Sequence, residues 1–218
     1  MPFDLDMHPG LRRQGESARS AGRGIANAGC IILAGLFAFS SHATAQERIL
    51  PRDYALTVYA GKLTDSVWED TFASDTRLLD SRLLVAALSR TLHRAPSGDY
   101  SWEVEGQIGK HSGMQDHWEF NLLGALRWHR FPWSDTLRSS AAFGLGLSHA
   151  SEVPEVESML KGESEKLLAY WYMEVTLGPR DSDWQASLRL HHRSTAFHLL
   201  GDAGGSNALT LGIRYEFD

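Results

Sequence analysis

The chain has 218 residues, 43% of them hydrophobic, and 21 Lys and Arg against 27 Asp and Glu give a formal net charge of −6. An acidic chain without basic runs excludes nucleic acid as the partner. No apolar stretch beyond residue 45 approaches the roughly 20 residues that a membrane-spanning helix needs, so a helical membrane protein is excluded as well.

The first 45 residues carry the chemistry of a cleavable signal peptide. Arg12, Arg13, Arg19 and Arg23 form a basic region, residues 25–39 are largely apolar, and Ala43-Thr44-Ala45 supplies the small-x-small pattern of a cleavage site. Asn27, Gly29 and Gly35 break the apolar stretch, which makes it a poor bilayer-spanning helix. Cleavage is expected after Ala45, leaving 46–218 as a single domain; the long basic region admits a later start, such as Met7. Cys30 is the only cysteine and falls in the removed segment. Asn27 stands where a lipoprotein signal usually has Leu, so lipidation is not expected. The mature chain has no disulfide and must be held by hydrogen bonding and packing. Four basic and three acidic residues lie in 1–45, which leaves 17 against 24 and a net charge of −7.

Eight segments of alternating character follow, at 53–63, 81–93, 100–110, 117–131, 136–149, 166–178, 183–195 and 207–217. The spacers carry turn chemistry, as in Pro96-Ser97-Gly98-Asp99 and Gly204-Gly205-Ser206. Within the segments the period is two, the signature of a strand. Trp118, Phe120, Leu122, Leu126 and Trp128 share one parity; Glu119, Asn121, Arg127 and His129 share the other.

A soluble β-sandwich also alternates, so the flanking chemistry decides. Tyr54, Trp102, Trp118, Trp128, Trp171, Trp184, Tyr215 and Phe217 sit near the ends of the apolar faces, as in an aromatic girdle at two membrane interfaces. Glu103, Glu105, Glu119, Arg127, Glu174, Arg189 and Arg214 fall on the opposite parity, where a narrow barrel would pair them inside. The fold class is therefore all-β: an eight-stranded antiparallel transmembrane β-barrel of the bacterial outer membrane. Such an interior is filled by side chains, which disfavours a general porin. The spacers 64–80 and 150–165 are the expected extracellular loops. The second, with Glu152, Glu155, Glu157, Glu163 and Glu165, reads as a solvated acidic loop.

The seventh segment ends unusually. Its apolar parity runs Trp184, Ala186, Leu188, Leu190 and then continues into His192 and Ser194. Two polar residues on a lipid-directed face lose hydration, which a passive barrel has no reason to accept. Residues two apart in a strand share a face, so His192 can take the hydroxyl proton of Ser194 and activate it as a nucleophile. A substrate lying in the membrane, such as an acylated lipid, would meet that pair. Another reading, a metal set among His191, His192 and His198, fails because His191 and His192 face opposite ways.

His192-Arg193-Ser194-Thr195-Ala196, followed by the final strand, resembles the His-x-Ser-Asn motif of the outer-membrane lipid A 3-O-deacylases. That resemblance covers about 30 C-terminal residues. It implies Ser194 as nucleophile, His192 as general base, Thr195 and Ala196 beside the substrate, and lipid A or lipopolysaccharide as substrate or ligand. No cofactor is called for, and a monomer or homodimer is expected. Thr195 replaces the family's Asn, and Ser206 stands where some members place an acid. Asn207 is the expected neutral partner of His192, with Asp202 as the other candidate. The competing expectation is a non-catalytic small barrel that binds or adheres through its extracellular loops.

Overall fold

Nearly all the regular structure is strand: β1 (Tyr54–Thr64), β2 (Leu78–Arg94), β3 (Tyr100–Gly113), β4 (Trp118–Trp128), β5 (Leu137–Ala150), β6 (Leu167–Pro179), β7 (Trp184–Ser194) and β8 (Gly205–Phe217), with α1 (Glu155–Lys161) between β5 and β6. The computed structural model describes residues 52–66, 71 and 75–218. The expected signal peptide and its cleavage after Ala45 lie outside the described residues. Each strand pairs antiparallel with the next, and β1 pairs with β8 from Tyr54↔Phe217 to Thr64↔Asn207, which closes the barrel.

Each predicted segment coincides with one strand, and the differences are at the ends. β2 starts at Leu78 because Leu78 pairs with Thr64 past an irregularity between Lys62 and Thr64. β4 stops at Trp128, and the chain then turns through Phe131–Ser134, where the Ser134 amide donates to the Phe131 carbonyl.

The polarity of the barrel is inverted relative to a water-soluble fold. On β4, Trp118, Phe120, Leu122, Leu126 and Trp128 are exposed while Glu119, Asn121 and Arg127 are buried. The same holds on neighbouring strands, with Leu145, Val175, Leu211 and Ile213 all facing outward. A continuous apolar exterior of this kind is unfavourable in water, at about 25 cal/mol per Å², and is stable against hydrocarbon. Among the described residues no helix is long and apolar enough to cross a membrane; the strands supply the apolar surface.

Ion pairs fill the middle of the interior. Arg127 donates from Nε to Glu103 at 2.9 Å and from Nη2 to Glu174 at 2.8 Å. Arg189 reaches Glu105 and Glu174, each at 2.7 Å, and its guanidinium lies over the rings of Tyr59 and Tyr172. Arg214 joins Glu103 to Glu216. Pairing is what makes these buried charges tolerable, because an isolated one would carry its full desolvation cost. Inward-facing Gly144 leaves room for the Tyr172 ring, into which a Cβ at that position would run.

Short turns lie at one end of the barrel and the longer connections 151–166 and 195–204 at the other. At the long-loop end α1 folds over the barrel. Val156 is buried against Tyr59, Leu63, Leu83 and Ala208. Glu157 departs from the solvated loop expected from sequence: it is buried and pairs with Arg193 Nε at 3.0 Å. It also accepts from Ser206 at 2.7 Å and Ser164 at 2.6 Å. Burial is tolerated here because the inward Arg193 neutralises the carboxylate.

Candidate functional site

Alternation along β7 separates its last residues into two environments. His191 and Arg193 point inward, and His191 Nε2 donates to the Glu119 carboxylate at 2.8 Å. His192 and Ser194 take the outer parity, opposite Trp171 and Ala169 of β6 on one side and Asn207 and Gly205 of β8 on the other.

The histidine is held on both sides. Its ring centroid lies 4.3 Å from that of Trp171, and its Nδ1 lies 2.5 Å from Asn207 Oδ1. Asn207 Nδ2 in turn donates to the Ser66 carbonyl at 2.7 Å, which fixes the amide so that oxygen faces the ring. Nδ1 must then carry the proton, and Nε2 is left as the basic nitrogen. His192 is on the predicted face but is buried rather than presented openly to lipid. Trp171 and Asn207 cover it, which limits the hydration that an outward imidazole would otherwise forfeit.

Ser194 closes β7 and is half-buried. The strand repeat puts it about 7 Å along the backbone from His192, on the same face. The Ala196 amide donates to Ser194 Oγ at 3.4 Å. Beyond it, Ala196, Phe197 and His198 adopt positive φ of 49°, 58° and 66° in succession. None is glycine, and the left-handed conformation costs roughly 1–2 kcal/mol per residue. Leu200 N–H closes this turn onto the Thr195 carbonyl at 3.0 Å. Phe197, at the tip, is 97% exposed, an apolar side chain set outward beside an apolar barrel wall.

These groups line a cleft of about 720 Å³ on the outer surface. One wall is apolar, made by Phe143, Leu145 and Met173 from β5 and β6 together with Leu160 of α1; the other carries His192, Ser194, Asn207, Thr195 and Ala196. Lys161 also lines it. All five residues singled out from the sequence thus border one cavity. Asp202, the other candidate partner for His192, does not line it; its amide donates to Glu165 at 2.9 Å on the exposed loop. Sequence reasoning missed Trp171 as the cover of His192, and Ser66 as the anchor of Asn207. Only the cross-strand register brings these residues to the site.

No family model and no curated protein matches the chain. Among solved structures it is similar to the outer-membrane enzyme PagL, at 11% identity over 75% of this chain and 99% of that one, with a TM-score of 0.54. It is also similar to Neisserial surface protein A, at 12% identity over 75% and 96%, TM-score 0.46. The N-terminal barrel domain of Pseudomonas aeruginosa OprF matches at 14% identity over 77% and 99%, TM-score 0.44. The class defined is the closed eight-stranded antiparallel barrel of the outer-membrane type. At these identities the likeness is one of fold, and chemistry has to be argued from the site.

Proposed function

We propose that this chain is an outer-membrane esterase that removes an ester-linked acyl chain from lipid A or a related glycolipid. The observation that carries the reading is the His192–Asn207 contact of 2.5 Å beside Ser194, at the polar wall of an otherwise apolar cleft on the outer surface. A buried, oriented imidazole next to a serine on a lipid-directed face has a role in acyl transfer that a passive barrel wall does not need.

In the first step His192 Nε2 takes the proton of Ser194 Oγ as the oxygen attacks the acyl carbonyl carbon. The resulting oxyanion is received by backbone N–H groups of the strained 195–198 turn, among them that of Ala196, which lies 3.4 Å from Oγ. Collapse breaks the ester C–O bond, and the imidazolium gives its proton to the departing sugar oxygen, which leaves as a hydroxyl. Water, deprotonated by His192, then hydrolyses the acyl-serine and releases the fatty acid. Asn207 acts through His192 by holding its tautomer and orientation, as the third member of a triad does. Phe143, Leu145 and Met173 accommodate the acyl chain, and Lys161 meets the anionic head group.

The test is fatty-acid release from purified lipid A by the barrel in detergent micelles. Wild type should release fatty acid, whereas Ser194→Ala and His192→Ala should not, with all three retaining the heat-dependent gel migration of a folded barrel. No release by the folded wild type would leave a non-catalytic barrel as the reading, and equal release by Ser194→Ala would remove Ser194 as the nucleophile.

A further inference from the structure

Arg193 stands between His192 and Ser194 in the sequence and faces the opposite way, into the barrel, where it is 1% exposed. Its Nε lies 3.0 Å from Glu157 Oε1 of α1. Nη1 donates to Ser148 Oγ of β5 at 3.0 Å, and Nη2 donates at 3.1 Å to the Glu165 carbonyl, just ahead of β6. One side chain thus ties β7 to α1, to β5 and to the start of β6.

Glu157 makes the matching contacts on β8. Its Oε1 accepts from Ser206 Oγ at 2.7 Å, and its Oε2 accepts from the Gly205 amide at 3.3 Å. Across the β7–β8 ladder Arg193 pairs with Ser206, Ser194 with Gly205 and His192 with Asn207. The carboxylate therefore holds both strands from inside the barrel, directly behind the face that carries Ser194, His192 and Asn207.

The pairing is selective. Arg193 also lies 3.8 Å from Glu119 Oε2, but Glu119 already has partners: Nε2 of His111 and Nε2 of His191 each lie 2.8 Å from one of its oxygens. His117 stacks on His111, with ring centroids 4.3 Å apart, and adds no charge partner for Arg193. The guanidinium is thus answered chiefly by Glu157. α1 has its own seat: Val156 is buried against Tyr59, Leu63, Leu83 and Ala208, and its amide donates to Gln115 Oε1 at 3.2 Å. Apolar packing of the same volume often stabilises a fold as well as a buried ion pair does; what the pair adds here is fixed geometry.

We propose that Arg193 and Glu157 are positioning residues, which hold the β7 and β8 backbones at the spacing that the Ser194–His192–Asn207 arrangement needs. The inference rests on the esterase reading. Both residues act through the strand backbone rather than on the acyl ester. A displacement of about 1 Å at the reacting groups costs on the order of 10²-fold in rate.

The experiment measures hydrolysis of a long-chain p-nitrophenyl ester by the barrel folded in detergent. Glu157→Gln and Arg193→Gln should each lower kcat on the order of 10²-fold with KM nearly unchanged. The double variant should be no worse than either single one, because the two residues act as a unit. Glu174→Gln, which disturbs buried ion pairs in the middle of the barrel, should leave kcat unchanged. The Nδ1 proton of His192, shared with Asn207, gives a readout that needs no turnover. Its downfield NMR signal, assigned by its loss in His192→Ala, should broaden in Glu157→Gln and persist in Glu174→Gln. If Glu157→Gln does not fold, Ser206→Ala removes one hydrogen bond to the same carboxylate and should lower kcat by a smaller factor. Wild-type kcat or an unchanged His192 signal in the folded variant would overturn the proposal. So would an equal loss in Glu174→Gln, which would make the effect a general loosening of the barrel. Absence of hydrolysis by wild type would instead remove the esterase reading, and the NMR comparison would then decide alone whether Glu157 holds His192 in place.

Discussion

Across β7 and β8, His192 Nδ1 and Asn207 Oδ1 lie 2.5 Å apart, with the Asn207 amide anchored on the Ser66 carbonyl at 2.7 Å. The contact assigns the proton on the ring without any acidic residue. Asn207→Ala should therefore lower kcat on the order of 10²-fold while changing KM little, because it releases the tautomer rather than the substrate. The His192→Ala/Asn207→Ala double variant should be no worse than His192→Ala alone, since Asn207 acts only through the histidine. Steady-state kinetics on the set checks this, and additive losses would contradict it.

The apolar wall of the cleft should set acyl-chain length. Met173→Trp adds bulk opposite the polar wall, where Met173 lines the cavity with Phe143 and Leu145. Hydrolysis of long-chain p-nitrophenyl esters should fall by about 10-fold or more in kcat/KM, while the acetate ester is hardly affected. Equal effects on both substrates would mean that the acyl chain lies elsewhere.

Glu174 holds two buried arginines at once, Arg127 at 2.8 Å and Arg189 at 2.7 Å. Glu174→Ala leaves both without that partner, and it should destabilise the barrel by about 3–5 kcal/mol. Glu174→Gln keeps a hydrogen-bond acceptor and should cost less. Urea unfolding in lipid vesicles, read by tryptophan fluorescence, measures the difference.

Stability should also depend on pH through His129, which follows β4 at the short-turn end. Burial, and then the neighbouring Arg127 guanidinium, pull its pKa down to about 4. In the unfolded chain it titrates near its ordinary value of about 6.5. Between the two values the unfolded state binds the extra proton, so stability is full above pH ~6.5 and declines as pH falls towards 4. The urea midpoint should drop between pH 7 and pH 5, and it should drop less in His129→Gln. An equal drop in the variant would assign the effect to other groups.

How much of this was legible in the sequence follows from the geometry of strands. A period of two assigns faces, so Glu103 with Arg127 inside and Leu122 with Trp128 outside could be read from parity alone. The same rule put His192, Ser194 and Asn207 on one face. Parity says nothing about stagger between strands. That is why the cover of Trp171 over His192, and the meeting of His111, His117, Glu119 and His191, could not be seen; they depend on how β3, β4, β6 and β7 are offset around the closed barrel. Glu157 was missed for another reason. It is carried by a short helix within a loop, and its burial depends on a partner, Arg193, 36 residues further along the chain.

The most direct test of the esterase proposal is the mass of lipid A from Gram-negative cells expressing the wild-type barrel or Ser194→Ala, both verified in the outer membrane. Wild type should produce lipid A species lighter by one hydroxyacyl or acyl chain, and Ser194→Ala should leave the spectrum of the host unchanged. Identical spectra from the two strains would contradict the proposed activity on lipid A.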